Sequence, residues 1–160
     1  MNHTIREITN TEYPLLEDFL YEAIFIPQGA EPPPRSIINN DELQVYVKDF
    51  GKHPDDRCLV AEINGKIVGA VWVRIMNDYG HVDDETPSFA ISLYKEYRGR
   101  GIGTELMIKM LGILRESGYE KASLAVQKAN YAVKMYKKVG FIVVGENDEE
   151  YIMVCNFTKQ

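Results

Sequence analysis

The chain has 160 residues, enough for one domain with its own core over 1–160, and its 45% hydrophobic and 26% charged content is ordinary for a soluble globular protein. The net charge of −6 argues against nonspecific nucleic-acid binding. No apolar run approaches a membrane span, and residues 1–10 lack the cationic start and apolar stretch of a signal peptide, so no membrane partner and a cytoplasmic location are expected. His3, His53 and His81 are scattered, and Cys58 and Cys155 sit in strand-like apolar runs, so no metal site is expected and both cysteines read as small buried hydrophobes.

Thr4 to Ile8 reads as a short strand, and Glu12 to Ile26 as a helix with Leu16, Phe19, Leu20, Ala23 and Ile24 on overlapping faces. The proline-rich run from Pro27 to Pro34 must break that helix. Asn40 or Asp41 then caps a second helix expected to reach about Phe50. Cys58 to Ile63 and Lys66 to Ile75 are β-rich runs joined by Asn64-Gly65, a strong hairpin signal. After a polar connection, Ser88 to Leu93 alternates as a strand does.

This strand leads into Arg98-Gly-Arg100-Gly-Ile102-Gly-Thr104, where Gly99, Gly101 and Gly103 stand at alternate positions before a long apolar-periodic helix ending at Gly118. Alternating glycines let consecutive N–H groups converge, and the helix adds its unpaired N-terminal N–H groups and the positive end of its dipole. That combination suits a phosphate or pyrophosphate. A dinucleotide fingerprint would need glycine where Thr104 or Leu106 stands, and a P-loop would need Lys-Ser/Thr after Gly103, so both are excluded by spacing.

Lys121 to Val126 reads as a strand, Asn130 to Val139 as a helix that exits through Gly140, and Phe141 to Gly145 and Tyr151 to Phe157 as two further strands. The helix after the glycines and the strand that follows it have matching reach, so Asn130 should return near the glycine loop. Charge is segregated. Residues 95–138 hold ten Lys/Arg against four Asp/Glu, and the rest of the chain holds eight against twenty. A polyanionic cofactor would be drawn to the basic segment and a cationic acceptor to its acidic surroundings, although part of that basic charge belongs to solvated helix faces.

Two motifs agree on one family. Arg98-x-x-Gly101-x-Gly103 resembles the acyl-CoA pyrophosphate loop of the GNAT superfamily of N-acyltransferases, and Asn130, five residues, Tyr136, three residues, Gly140-Phe141 resembles a second pattern of that family. The resemblance runs from about Val60 to Phe157 and is strongest over residues 91–141. It implies a mixed α/β fold with a twisted, largely antiparallel sheet of six or seven strands flanked by about four helices. Residues 88–141 would form the acetyl-CoA-binding core, and helices within 1–55 would lie over the acceptor end. It further implies acetyl-CoA as cosubstrate and an amine acceptor.

By this resemblance Arg98, Gly99, Arg100, Gly101, Ile102, Gly103 and Thr104 cradle the pyrophosphate, and Ile91, Ser92 and Leu93 offer main-chain groups to the pantetheine and the thioester carbonyl. Asn130 contacts the pantetheine arm, and Tyr136 protonates the departing thiolate. From the residues alone, Asn130 is equally a helix cap, and periodicity by itself favours reading Tyr136 as a packing tyrosine on an apolar stripe. Lys95 stands where proline is common in the family. Pro87 stands where some relatives carry a glutamate base, which leaves Glu85 as the nearest carboxylate, with the plainer alternative of a solvated loop acid. A catalytically silent acyl-CoA-binding module is the competing reading. The sequence sets no oligomeric state and leaves a homodimer open.

Overall fold

Asn64 and Gly65 both take left-handed backbone angles, with φ of 51° and 81°, as a two-residue hairpin turn requires. β2 (Arg57–Ile63) and β3 (Lys66–Arg74) therefore leave the turn as an antiparallel pair, with Arg57 opposite Val73 and Ile63 opposite Lys66. The computed structural model describes residues 2–157. Before the hairpin come β1 (Thr4–Glu7), α1 (Leu15–Glu22) and α2 (Asp41–Gln44). After it come β4 (Ser88–Leu93), α3 (Ile102–Glu116), β5 (Lys121–Gln127), α4 (Ala132–Val139), β6 (Ile142–Glu146) and β7 (Glu150–Asn156).

The strands form one seven-stranded sheet in the order β1-β2-β3-β4-β5-β7-β6, antiparallel everywhere except between β4 and β5. A parallel neighbour needs a crossover, and α3 supplies it. Its Leu106, Met107, Met110 and Leu114 are buried on the sheet face that carries Val71, Phe89, Leu124 and Met153. On the other face Leu16, Phe19 and Leu20 of α1 pack with Val60, Ala70 and Trp72. The mixed α/β class, the strand number and the four helices are as expected. Among the described residues no helix is long and apolar enough to cross a membrane.

Two helices are shorter than periodicity suggests. Glu12 is drawn back to β1, where its carboxylate accepts from Arg6 Nη2 at 2.8 Å and from the Thr9 N–H at 2.9 Å, so residues 10–12 form a separate 3-10 turn. α1 starts only after Pro14 and ends at Glu22. The second helix stops at Gln44 because β3 captures the carbonyls that would continue it. Trp72 Nε1 donates to Tyr46 at 2.9 Å, and Arg74 Nη1 donates to Val45 and Lys48 at 3.1 and 2.9 Å. Asp49 then turns left-handed at φ 55°.

Arg74 also holds Asp56, with Nε to Oδ1 at 3.1 Å and Nη2 to Oδ2 at 3.0 Å, and the two side chains are only 6% and 1% exposed. A buried guanidinium left without its carboxylate is costly, so Asp56→Ala should lower unfolding stability by about 3–5 kcal/mol in urea melts. A loss below about 1 kcal/mol would show that the backbone carbonyls alone satisfy Arg74.

Candidate active site

β4 and β5 touch at one paired position, Ser88 opposite Ser123, and then part. The Ser123 N–H donates to the Pro87 carbonyl at 2.9 Å, and the two serine hydroxyls lie 3.1 Å apart. Antiparallel pairing decides which main-chain groups of β4 face the gap. The Tyr94 N–H donates to Val68 at 2.9 Å, and in the β3–β4 register hydrogen-bonded and non-bonded pairs alternate, so Ser92 and Ala90 spend their main-chain groups on β3. Ile91 and Leu93 turn theirs toward the gap.

Of the three β4 residues, Ile91 and Leu93 thus present main-chain groups to the gap and Ser92 presents its own to β3. Ser92 lines the groove as well, but its main chain pairs with Ala70, and its hydroxyl donates to the Phe19 carbonyl at 2.6 Å, pinning α1 across the strand. At Leu93 the carbonyl accepts from Arg98 Nε at 2.9 Å. The side chains of Ile91 and Leu93 lie under Gly103, where an added Cβ would meet Leu93 Cδ1 at 3.5 Å, an ordinary contact.

Of the three alternating glycines, Gly99 and Gly101 need their lack of a side chain for conformation, with φ of 77° and 85°. Gly101 precedes α3, whose first intrahelical bond runs from the Glu105 N–H to the Gly101 carbonyl at 3.1 Å. The helix thus has no acceptor of its own for the N–H groups of Ile102, Gly103 and Thr104. The Ile102 side chain points the other way and is buried in the core. Arg100 Nη2 donates to the Glu96 carbonyl at 3.0 Å and its guanidinium lies 5.5 Å from the Tyr97 ring centroid. Arg98 reaches across to α1, with Nη2 3.1 Å from Glu22 Oε1 and 3.3 Å from the Glu22 carbonyl.

The far wall is built by α4. Gly140, with φ of 119°, ends it: the Gly140 N–H donates to Lys137 at 3.2 Å and the Phe141 N–H to Tyr136 at 3.0 Å, the paired bonds of a Schellman exit. The Phe141 ring is buried and meets the Tyr136 ring edge-on at 6.1 Å between centroids. The Gly-Phe pair thus fixes Tyr136 from both its main chain and its ring. Burial pushes the Tyr136 phenol up to about 12, with a smaller contribution from Tyr131. Its hydroxyl has no hydrogen-bond partner among the described residues, and the residue lines the groove. Asn130 Oδ1 accepts from the Ala132 N–H at 2.9 Å, which closes the turn leading into α4, and the residue also lines the groove described below.

These elements enclose a groove of about 890 Å³. Ile91, Ser92, Leu93, Arg98, Gly99, Gly101, Gly103, Thr104, Asn130 and Tyr136 all line it. Glu85 does not. It is exposed before the opposite end of β4, beside a separate cleft of about 380 Å³ shared with Asp55, Asp84 and Glu120. Its N–H donates to Asp83 Oδ1 at 2.9 Å, and Thr86 Oγ1 donates to the same oxygen at 2.7 Å, closing a turn at the N-terminal end of the strand. The groove opens at the C-terminal half of the strand, from Ile91 on, so Glu85 lies outside it. Residues missed from sequence are Glu22 and the segment around Phe25, Gln28 and Pro32, which form the α1-side wall. The proline run was the signal for that wall; Glu22 gave none, because a glutamate within an amphipathic helix reads as solvated.

Residues 5–141 match the family model described as the acetyltransferase (GNAT) family. An acetyltransferase of Pectobacterium atrosepticum is 36% identical over 108 residues, covering 66% of this chain and 70% of that protein. A probable N-acetyltransferase of Xenopus tropicalis, camello, is 36% identical over 85 residues, covering 51% of this chain and only 36% of that protein. Among solved structures, the PaiA N-acetyltransferase of Thermoplasma acidophilum, crystallised in complex with coenzyme A, superposes with a TM-score of 0.71 at 20% identity over 98% of this chain and 99% of its own. With a parted pair of parallel strands, a glycine turn into α3 and a capped tyrosine on α4 meeting in one groove, and with the family model spanning most of the sequence, the chain belongs to the GNAT family of acetyltransferases.

Proposed function

We propose that this protein moves an acetyl group from acetyl-CoA to a primary amine by direct attack within a ternary complex. The observation that carries this reading is the Tyr136 phenol, buried and fixed by Gly140-Phe141, on the same groove as the gap-facing main chain of Ile91 and Leu93. Residues 88–141 supply the cosubstrate side. The pyrophosphate takes the N–H groups of Ile102, Gly103 and Thr104. The pantetheine lies along β4 as an added strand, exchanging hydrogen bonds with Ile91 and Leu93. Arg98 and Arg100 add positive potential beside the loop. Asn130 supports the arm through the helix start that it caps.

The acceptor enters as an ammonium ion and loses one proton to solvent water. Its nitrogen lone pair then attacks the thioester carbon, and a gap-facing N–H on β4 steadies the developing oxyanion. Collapse of the tetrahedral adduct breaks the carbon–sulfur bond, and the sulfur takes the Tyr136 proton. The phenolate is reprotonated by the proton leaving the new amide nitrogen, carried by water. A phenol held near 12 stays protonated throughout the working pH range, so it is always poised to donate. The competing reading, a silent acyl-CoA-binding module, requires the glycine loop but assigns the phenol no role.

Two variants separate these readings. Tyr136→Phe keeps the ring against Phe141, so coenzyme A affinity by calorimetry should be unchanged while kcat falls on the order of 10²-fold; unchanged turnover with chemistry rate-limiting would remove Tyr136 as the acid. Gly101→Ala forces a side chain into φ of 85°, a left-handed strain of about 1–2 kcal/mol, and should weaken coenzyme A binding several-fold or more. Gly103→Ala, by contrast, meets only ordinary contacts and should bind nearly as the parent does. Equal binding by Gly101→Ala would mean that the turn does not aim the helix N–H groups. A screen of primary amines with acetyl-CoA, read by released thiol, identifies the acceptor.

A further inference from the structure

Glu22 is the one carboxylate among the described residues that line the groove. It ends α1, three residues beyond Phe19, whose carbonyl is held by Ser92 Oγ at 2.6 Å. The last turn of α1 is thereby pinned across β4, so Glu22 enters the groove from the α1 side while Tyr136 enters from α4. The neighbouring groove residues Phe25, Ile26 and Met135 are apolar. An ammonium ion entering this space meets no other negative side chain.

Glu22 is engaged by the loop expected to meet the cosubstrate. Arg98 donates through Nη2 to Glu22 Oε1 at 3.1 Å and to the Glu22 carbonyl at 3.3 Å, and through Nε to the Leu93 carbonyl at 2.9 Å. One guanidinium therefore occupies a gap-facing carbonyl of β4, the C-terminal end of α1 and the groove's carboxylate. The pair is partly open, with side-chain exposures of 37% and 28%, so its hold is modest and can be redistributed. A pyrophosphate at the start of α3 brings two negative charges close to Arg98, which stands three residues before Gly101, and a pantetheine amide on β4 competes for the Leu93 carbonyl. Both draw the guanidinium away from Glu22.

We propose that Glu22 receives the ammonium group of the acceptor, and that Arg98 holds it in reserve until the cosubstrate's pyrophosphate draws the guanidinium away. This rests on the acetyl-transfer reading above. It makes binding ordered, with cosubstrate before amine, and the coupling must be reciprocal. Glu22 is thus a specificity-determining residue that selects a cation for the groove.

The test uses the whole protein with hexylamine as a cationic probe, matched to the apolar groove, and hexanol as its neutral counterpart. Calorimetry on wild type should show hexylamine binding about fivefold or more tightly once coenzyme A is bound, with hexanol gaining no such advantage. Glu22→Gln should remove the preference for hexylamine while binding coenzyme A as well as the parent or better, since Arg98 is released from its carboxylate. Glu22→Asp should restore part of the preference. Hexylamine affinity that is absent, or that is indifferent to coenzyme A, overturns the proposal on wild type alone, whatever the variants do. A preference that survives in Glu22→Gln, with only the melting temperature lowered, would reduce Glu22 to a clamp at the end of α1. Failure of wild type to bind coenzyme A would instead strike the acetyl-transfer reading.

Discussion

The structure depends on the parting of β4 from β5. A parallel pair with its full ladder would be a closed floor; here it is joined at Ser88 and Ser123 and open beyond. The join is well made. Ser88 Oγ donates to Asp78 Oδ1 at 3.1 Å as well as meeting Ser123, and Tyr46 donates to the other oxygen of Asp78 at 3.1 Å. Gly80 lets the loop after β3 press on β5, since a Cβ there would stand 3.0 Å from the Ala125 nitrogen. Burial raises the Asp78 carboxyl, while its hydroxyl partners work against that rise. The fork is thus fastened below by polar contacts and left unpaired above, which leaves the edge of β4 facing the groove.

The groove gathers its parts around that opening from elements that end there. β4 finishes, the glycine turn begins α3, and α4 begins four residues before its tyrosine and closes three after it. Each supplies a different unsatisfied group: strand amides, helix N–H groups and a phenol. The acidic excess of the chain lies largely elsewhere, and five acids, Asp55, Asp83, Asp84, Glu85 and Glu120, line the other cleft. Local charge around the groove is therefore basic on the loop, with Glu22 as its counterweight.

Legibility in the sequence followed the range of the interactions. The Asn64-Gly65 turn, the helix between Gly101 and Gly118 and the Tyr136–Phe141 spacing were readable because each is settled within a few residues. The second helix was not, because the carbonyls of Val45, Tyr46 and Lys48 go to Trp72 and Arg74, which lie more than twenty residues away. The main-chain pairing of Ser92 and the position of Glu85 are likewise set beyond local sequence. Alternation along a strand does not say which neighbour takes its main-chain groups, and closeness in sequence to β4 does not say which end of it holds the site. Glu22 was invisible until Arg98 was seen reaching it.

The Schellman exit of α4 also sets a tolerance on the chain. Because the Phe141 N–H closes on the Tyr136 carbonyl and its ring lies against the tyrosine ring, the distance from phenol to helix end is measured by the backbone itself. One residue more or less between Tyr136 and Gly140 would turn the phenol by about 100° around the helix axis, out of the groove and into solvent or core. Substitutions at Lys137 and Lys138 change only the surface of that turn, both being exposed, whereas a change in its length dismantles the site. The three-residue interval is in this sense a ruler, and its length is under a stricter constraint than the residues that fill it.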